Sequence, residues 1–88
     1  MNKYNGHQSW NAWNVALWFS NDYSIYSYCM ELIDKVGLDD AITIIWHEIW
    51  VDKKGLCSKI FPNGRTKDGA KVNKSCIRLA LRDIAEEN

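Results

Sequence analysis

Tyr4-Asn5-Gly6-His7-Gln8-Ser9-Trp10-Asn11-Ala12-Trp13-Asn14-Val15-Ala16-Leu17-Trp18-Phe19 is the stretch that decides the fold. It holds three of the five tryptophans within nine residues. Trp10, Trp13 and Leu17 recur at helical spacing, and Ser9 is suited to cap a helix that begins after it. Because apolar residues also fill its other sides, we expect a largely buried helix at about 10–20, with the three tryptophans in the core. Replacing Trp13 by Ala should then cost about 3–5 kcal/mol.

Three further helices are predicted from apolar periodicity and capping residues, at about 22–36, 39–51 and 73–86. Asp22 and Asn73 are N-cap residues, and Gly37 fits a left-handed C-cap. The β-branched run 42–45 is also compatible with a strand, but the acids before it and the Trp46/Trp50 spacing favour a helix. The sequence therefore predicts a mainly all-α, compact four-helix domain that spans residues 1–88 as one unit.

Residues 52–72 contain three turn signals, at Gly55, Pro62-Asn63-Gly64 and Gly69, which argue against a long helix. Lys59-Ile60-Phe61 before the second turn is compatible with a small hairpin arm. The alternative is an irregular, ordered basic loop that apolar side chains pin to the core.

The charge is uneven although the net charge is zero. Residues 1–50 carry two lysines against six acids, a balance of −4, and residues 51–88 carry nine Lys and Arg against five acids, a balance of +4. No transmembrane run or signal peptide is recognisable, so we expect a cytoplasmic protein. Three widely spaced cysteines indicate reduced, packed thiols rather than a disulfide framework.

We recognise no catalytic motif in the sequence. His47-Glu48 begins like the zinc-protease helix, but Val51 stands where a second His is needed, and Glu48 is then most simply a solvated helix residue. His7, His47 and Cys57 lack the short ligand spacing of structural zinc sites. The lysine-rich turns match neither phosphate-binding glycine motif. We therefore expect no enzyme activity, no cofactor and no metal.

The strongest predicted site is a set of cations that we call the basic stripe: Lys67, Lys71, Lys74, Arg78 and Arg82. Lys59 and Arg65 lie nearby in the chain. Surplus aromatic residues, above all Trp50 and Tyr26, join it as predicted partner-binding residues, because Tyr and Trp are enriched at interfaces. The stripe suits an acidic protein surface or nucleic-acid phosphates. A solvated helix face is the plain alternative. A pI near 6.7 is far from that of a dedicated nucleic-acid-binding protein.

Both ends of the chain resemble an uncharacterised family of small proteins encoded by bacteriophages, prophages and plasmids. The N-terminal match is Tyr4-Asn5-Gly6, Trp10-Asn11-Ala12-Trp13-Asn14-Val15-Ala16-Leu17-Trp18, Asn21-Asp22 and Tyr26. The C-terminal match is Thr66-Lys67-Asp68-Gly69-Ala70-Lys71 with Ile77-Arg78-Leu79-Ala80. The resemblance does not extend to the stretch from about 38 to 65, and no functional residues carry over.

The resemblance implies a mobile-element origin, and small non-enzymatic phage proteins are often inhibitors of host machinery, such as anti-CRISPR and antirestriction proteins. We therefore expect a protein that inhibits a bacterial defence complex by protein–protein contact, in the cytoplasm of the host cell. Its partner would be a host defence protein or a ribonucleoprotein complex. The alternatives are a small nucleic-acid-binding module that uses the basic stripe, and a structural subunit that self-associates through exposed aromatic residues.

Overall fold

The computed structural model describes residues 9–86, and most of them are helical. The helices are α1 (Trp10–Asn21), α2 (Tyr23–Val36), α3 (Leu38–His47), α4 (Leu56–Ile60) and α5 (Lys74–Glu86). A π-helical turn, Glu48–Asp52, continues α3, and a 3-10 turn, Pro62–Gly64, follows α4. The predicted all-α class with four main helices is confirmed, and the helix ends lie close to those predicted.

The predicted N-caps are confirmed at three helices. The Ser9 hydroxyl accepts a hydrogen bond from the Ala12 N–H at 3.1 Å, and the Asp22 carboxylate accepts one from Ile25 at 3.1 Å. The Asn73 side chain accepts from the Cys76 N–H at 2.9 Å. Each cap satisfies a backbone donor that has no partner inside its own helix, which fixes where the helix begins.

Of the two alternatives that the sequence left open for residues 52–72, the small hairpin at 59–64 is not formed, and the segment is irregular apart from a short helix and a 3-10 turn. Lys59 and Ile60 lie in the short helix α4 instead. The strand-like pairing lies further on, where Arg65 and Lys71 form an antiparallel bridge that closes a tight loop. Asn63 adopts φ +60°, which asparagine tolerates better than most residues, so the chain turns there without a hairpin.

The core is centred on two phenylalanines. Phe19 of α1 and Phe61, just after α4, stack with ring centroids 5.1 Å apart and planes 18° from parallel. Both are buried, as are the inward side chains of the other helices, among them Ile25, Ile42, Ile45, Ile77 and Leu81. Helix α5 packs against both α1 and α3, so the C-terminal helix completes the core that α1 begins.

The tryptophans of α1 are not the centre of the core, which corrects the sequence prediction. Trp10 is 41% exposed, and Trp13 and Trp18 are half-buried. The buried residues of α1 are Ala12, Asn14, Val15 and Phe19. An indole is large and carries an N–H that needs an acceptor, which favours a position at the edge of a small core.

Within residues 9–86, no helix is both long enough and apolar enough to cross a bilayer.

Candidate functional site

Side chains of α1 hold the loop of residues 66–71, which we call the basic loop. Asn11 makes two hydrogen bonds to the backbone of Lys71. Its Nδ2 donates to the Lys71 carbonyl at 2.7 Å, and its Oδ1 accepts from the Lys71 N–H at 2.8 Å. This pair of bonds fixes both polar groups of one backbone unit, so the position of Lys71 is set by α1.

Asn14, one turn further along α1, is 2% exposed and joins both sides of the loop. The Thr66 hydroxyl donates to Asn14 Oδ1 at 2.6 Å, and Asn14 Nδ2 donates to Asp68 Oδ2 at 2.8 Å. Trp18 Nε1 donates to the same carboxylate oxygen at 3.0 Å. The hydrogen bonds from Asn14 and then Trp18 lower the pKa of Asp68, because they favour its charged form.

Asn11, Asn14 and Trp18 stand at i, i+3 and i+7, so they lie on one side of α1. They lie in the N-terminal stretch quoted above for the resemblance, and the loop that they hold is the first part, residues 66–71, of the C-terminal stretch quoted there. These two stretches, far apart in the sequence, therefore contact each other. Buried asparagine amides need hydrogen-bond partners, but the sequence gives no sign of which residues these are.

Three cations of the basic loop and α5 are each held over an indole ring. The ammonium of Lys67 lies 5.5 Å from the Trp18 ring centroid. Lys71 lies 5.7 Å from the Trp50 centroid, and Lys74 lies 5.7 Å from the Trp46 centroid. We call these six residues the Lys–Trp face. The lysines are exposed and the indoles half-buried, a setting in which each contact contributes about 0.5–1 kcal/mol.

Trp50 is held firmly in this face. Its Nε1 donates to the Val72 carbonyl at 2.7 Å. A Cβ added at Gly64 would lie 2.3–2.8 Å from its ring atoms, so only glycine lets the backbone approach the ring this closely. Because Gly64 also has φ +70°, any other residue there would strain the backbone and displace the indole.

The remaining predicted site residues lie outside the three pairs. Arg78 Nη1 contacts Asp39 Oδ1 of α3 at 3.1 Å, so its charge is compensated on the surface. Arg82 is exposed on α5, and Tyr26 is half-buried on α2. The structure thus places the three predicted lysines over indole rings, one of them that of the predicted Trp50, whereas Trp18 and Trp46 were not among the predicted site residues. Their only signal was indole rings in excess of what a small core encloses.

A second polar cluster lies where α3 becomes the π-helical turn. Glu48 is half-buried and accepts a hydrogen bond from the Tyr28 hydroxyl, so the prediction of a solvated Glu48 is wrong. Burial raises the pKa of Tyr28 above its ordinary value, and the bond to Glu48 adds to this. Gly55 is the close neighbour on the other side: a Cβ there would lie 2.8 Å from Glu48 Oε1.

Burial, reinforced by the charge of Glu48, raises the pKa of the Cys29 thiol to about 12 and also raises that of Cys57. Cys29, Cys57 and Cys76 are buried and unpaired, as predicted. A thiol with a raised pKa stays protonated near neutral pH and is a poor nucleophile or metal ligand. In the described residues, no three His, Cys, Asp or Glu side chains are grouped to hold a metal; His7 lies outside that range.

An open groove of about 430 Å³ lies between α2 and α5. It is lined by Met30, Glu31, Ile33, Asp34, Ile84 and Ala85. None of these is a residue of the basic stripe or of the Lys–Trp face, so the largest charged and aromatic features lie elsewhere on the molecule.

Comparison with known protein families matches residues 1–88 to a family of unknown function, DUF7249. The match covers the whole sequence, and the chain therefore belongs to that family. No curated protein and no solved structure matches the chain.

Proposed function

We propose that this chain is a non-catalytic protein of a bacteriophage or other mobile element that inhibits a bacterial defence complex by direct protein–protein contact. The observation that carries the proposal is the Lys–Trp face, in which three exposed lysines are each paired with a half-buried tryptophan. The resemblance to small phage, prophage and plasmid proteins supplies the biological setting, since such proteins are often inhibitors of host machinery.

The face has the properties of a contact surface. Tryptophan is enriched at the energetic centre of interfaces, where its ring offers a large apolar area. The basic loop is fixed to α1 by Asn11 and Asn14, so binding would order little additional backbone. The ammonium groups of Lys67, Lys71 and Lys74 would be attracted to an acidic surface and would speed its encounter.

A non-catalytic role agrees with the chemistry of the interior. The thiols of Cys29 and Cys57 are buried with raised pKa values, so neither is an activated nucleophile. Glu48 is engaged by Tyr28. We propose that binding, rather than turnover, is the activity of this protein.

The test is a tagged pull-down from bacterial lysate, with and without nuclease. We expect a defined protein complex that survives nuclease treatment. The variant Lys71→Glu/Lys74→Glu should lose that complex, while the control Lys35→Glu/Lys59→Glu, with the same change in charge at exposed sites outside the face, should keep it. Capture that is equal for both variants, or the absence of any defined protein, would refute the proposal.

A further inference from the structure

The Lys–Trp face combines two features that single-stranded nucleic-acid sites share. Such sites place cations along the phosphate backbone and offer aromatic rings on which bases stack. Here Lys67, Lys71 and Lys74 supply the cations, and each stands over its own ring, Trp18, Trp50 or Trp46. An acidic peptide would use the charges, but its carboxylate side chains have no flat face to match the indoles.

These lysines form no ion pair with the described acids, although the charge of Asp22 interacts with that of Lys67. In the described part of the chain, the ion pairs join Glu31 with Lys35 and Asp39 with Arg78, and neither pair includes a lysine of the face. The nearest acid in sequence is Asp68, whose Oδ2 is bound by Asn14 and Trp18 of α1. This carboxylate is held by α1, although its charge still reduces the local positive field beside Lys67.

Two of the three Lys–Trp pairs lie along one line of contacts, which also includes the ion pair of Asp39 and Arg78. Along α3 and its π-helical continuation the contacts are Asp39–Arg78, Trp46–Lys74 and Trp50–Lys71. Residue numbers increase along this segment while those of its contact partners in residues 71–78 decrease, so the two segments run antiparallel. The face therefore follows an antiparallel seam between α3 and the start of α5. The third pair, Lys67 and Trp18, involves the first half of the basic loop and helix α1.

A nucleotide base can replace a lysine ammonium on an indole ring without any rearrangement of the protein backbone. A base that stacks on an indole displaces the ammonium from the ring, and the ammonium then pairs with the adjoining phosphate. The rings themselves are held: Trp50 by Val72 and Gly64, and Trp18 by Asp68. A double helix does not offer this exchange, because its bases are already stacked on each other.

We propose that the Lys–Trp face is a binding site for a short segment of single-stranded nucleic acid. The site deepens the proposed function: in a ribonucleoprotein target, the face would contact a single strand of nucleic acid in addition to protein. The inference rests on the proposed function only for the identity of that target.

The experiment titrates the full chain with a ten-nucleotide oligo-dT and an oligo-U of the same length, following tryptophan fluorescence at several salt concentrations. We expect quenching, and a slope of log affinity against log salt of about −2, as three neutralised phosphates predict for a single strand. A duplex of equal length and a poly-Glu peptide should bind at least tenfold more weakly.

Matched variants locate the site. Lys71→Gln/Lys74→Gln should reduce the slope to about −0.7, since one lysine remains, and Trp46→Leu should weaken binding roughly fivefold or more. Lys35→Gln/Lys59→Gln should change neither quantity, and circular dichroism melts should show that all variants are folded. No quenching at 20 mM salt, equal binding of poly-Glu, or unchanged binding by the lysine and tryptophan variants would overturn the site.

The two proposals fail separately. If a nuclease-resistant protein partner is captured but the oligonucleotides do not bind, the nucleic-acid site is wrong and the inhibitor proposal stands. If the oligonucleotides bind at the face but no defined protein is captured, the site stands and the inhibitor proposal is wrong.

Discussion

The phenylalanine rings and the lysine-paired tryptophan rings of this protein occupy different regions. Phe19 and Phe61 are stacked at the centre with no more than 1% exposure. Trp18, Trp46 and Trp50 lie at the edge, half-buried beneath lysines. Phenylalanine has no polar atom to satisfy, whereas an indole N–H needs an acceptor. Aromatic content alone therefore does not locate a core, and the polar atom of each ring decides which region it joins.

The largest effect should follow from breaking the central pair. Phe19→Ala removes a fully buried ring and leaves a cavity against Phe61, so the free energy of unfolding should fall by about 3–5 kcal/mol. Urea denaturation followed by circular dichroism measures it. Trp46→Ala is the matched edge substitution, and a loss as large as that of Phe19→Ala would remove the distinction between centre and edge.

Asn14→Ala should have the next largest effect. The buried amide holds Thr66 and Asp68 at once, so its removal should cost about 1–3 kcal/mol and leave Thr66 without this acceptor. Hydrogen exchange should quicken at the Ala70 amide, which donates to the Thr66 hydroxyl at 3.0 Å. Asn21→Ala, at the exposed end of the same helix, is the control. Unchanged exchange at Ala70 would show that Asn14 does not hold the loop.

Trp13→Ala sharpens the comparison within α1 itself. Because Trp13 is half-buried rather than central, we now expect the free energy of unfolding to fall by about 1–3 kcal/mol, less than for Phe19→Ala. The same urea experiment measures it. A loss equal to that of Phe19→Ala would restore the tryptophan-centred core that the sequence suggested.

The smallest effect concerns the pKa of Asp68. Hydrogen bonds from Asn14 and Trp18 hold it below the ordinary value of 3.8 in the folded protein. A carboxyl group whose folded pKa is lowered stabilises the fold above the unfolded pKa, and this contribution is lost as the pH falls through the folded pKa. NMR titration of the Asp68 carboxyl carbon should show the low pKa, and Asn14→Ala should raise it. The same pKa in both proteins would contradict the assigned cause.

Much of the fold followed from local patterns. Ser9, Asp22 and Asn73 act on backbone donors three residues away, so a reader of the sequence can place the helix starts. Asp68 accepts hydrogen bonds from Asn14 and Trp18, which lie about fifty residues earlier in the chain. No local sequence pattern specifies a partner at that distance.

The candidate site was predictable to the same extent. Lys67, Lys71 and Lys74 were visible as a run of cations. The indoles beneath them come from α1, from α3 and from the π-helical turn, so only the tertiary structure brings the pairs together. The hairpin that the sequence left open as one alternative is not formed, because Pro62-Asn63-Gly64 makes a 3-10 turn after a helix rather than a turn between strands.

The measurement that tests the division between core and face most directly compares stability and capture in one set of variants. Lys71→Glu/Lys74→Glu should melt about 4–16 °C below the unchanged protein, because two lysine–indole contacts of about 0.5–1 kcal/mol each are lost. While folded, it should lose the nuclease-resistant complex. Phe19→Ala should melt far lower. At a temperature where this variant remains folded, it should still capture that complex. If the lysine variant keeps the complex, or loses it only because it has unfolded, the Lys–Trp face is not the contact surface.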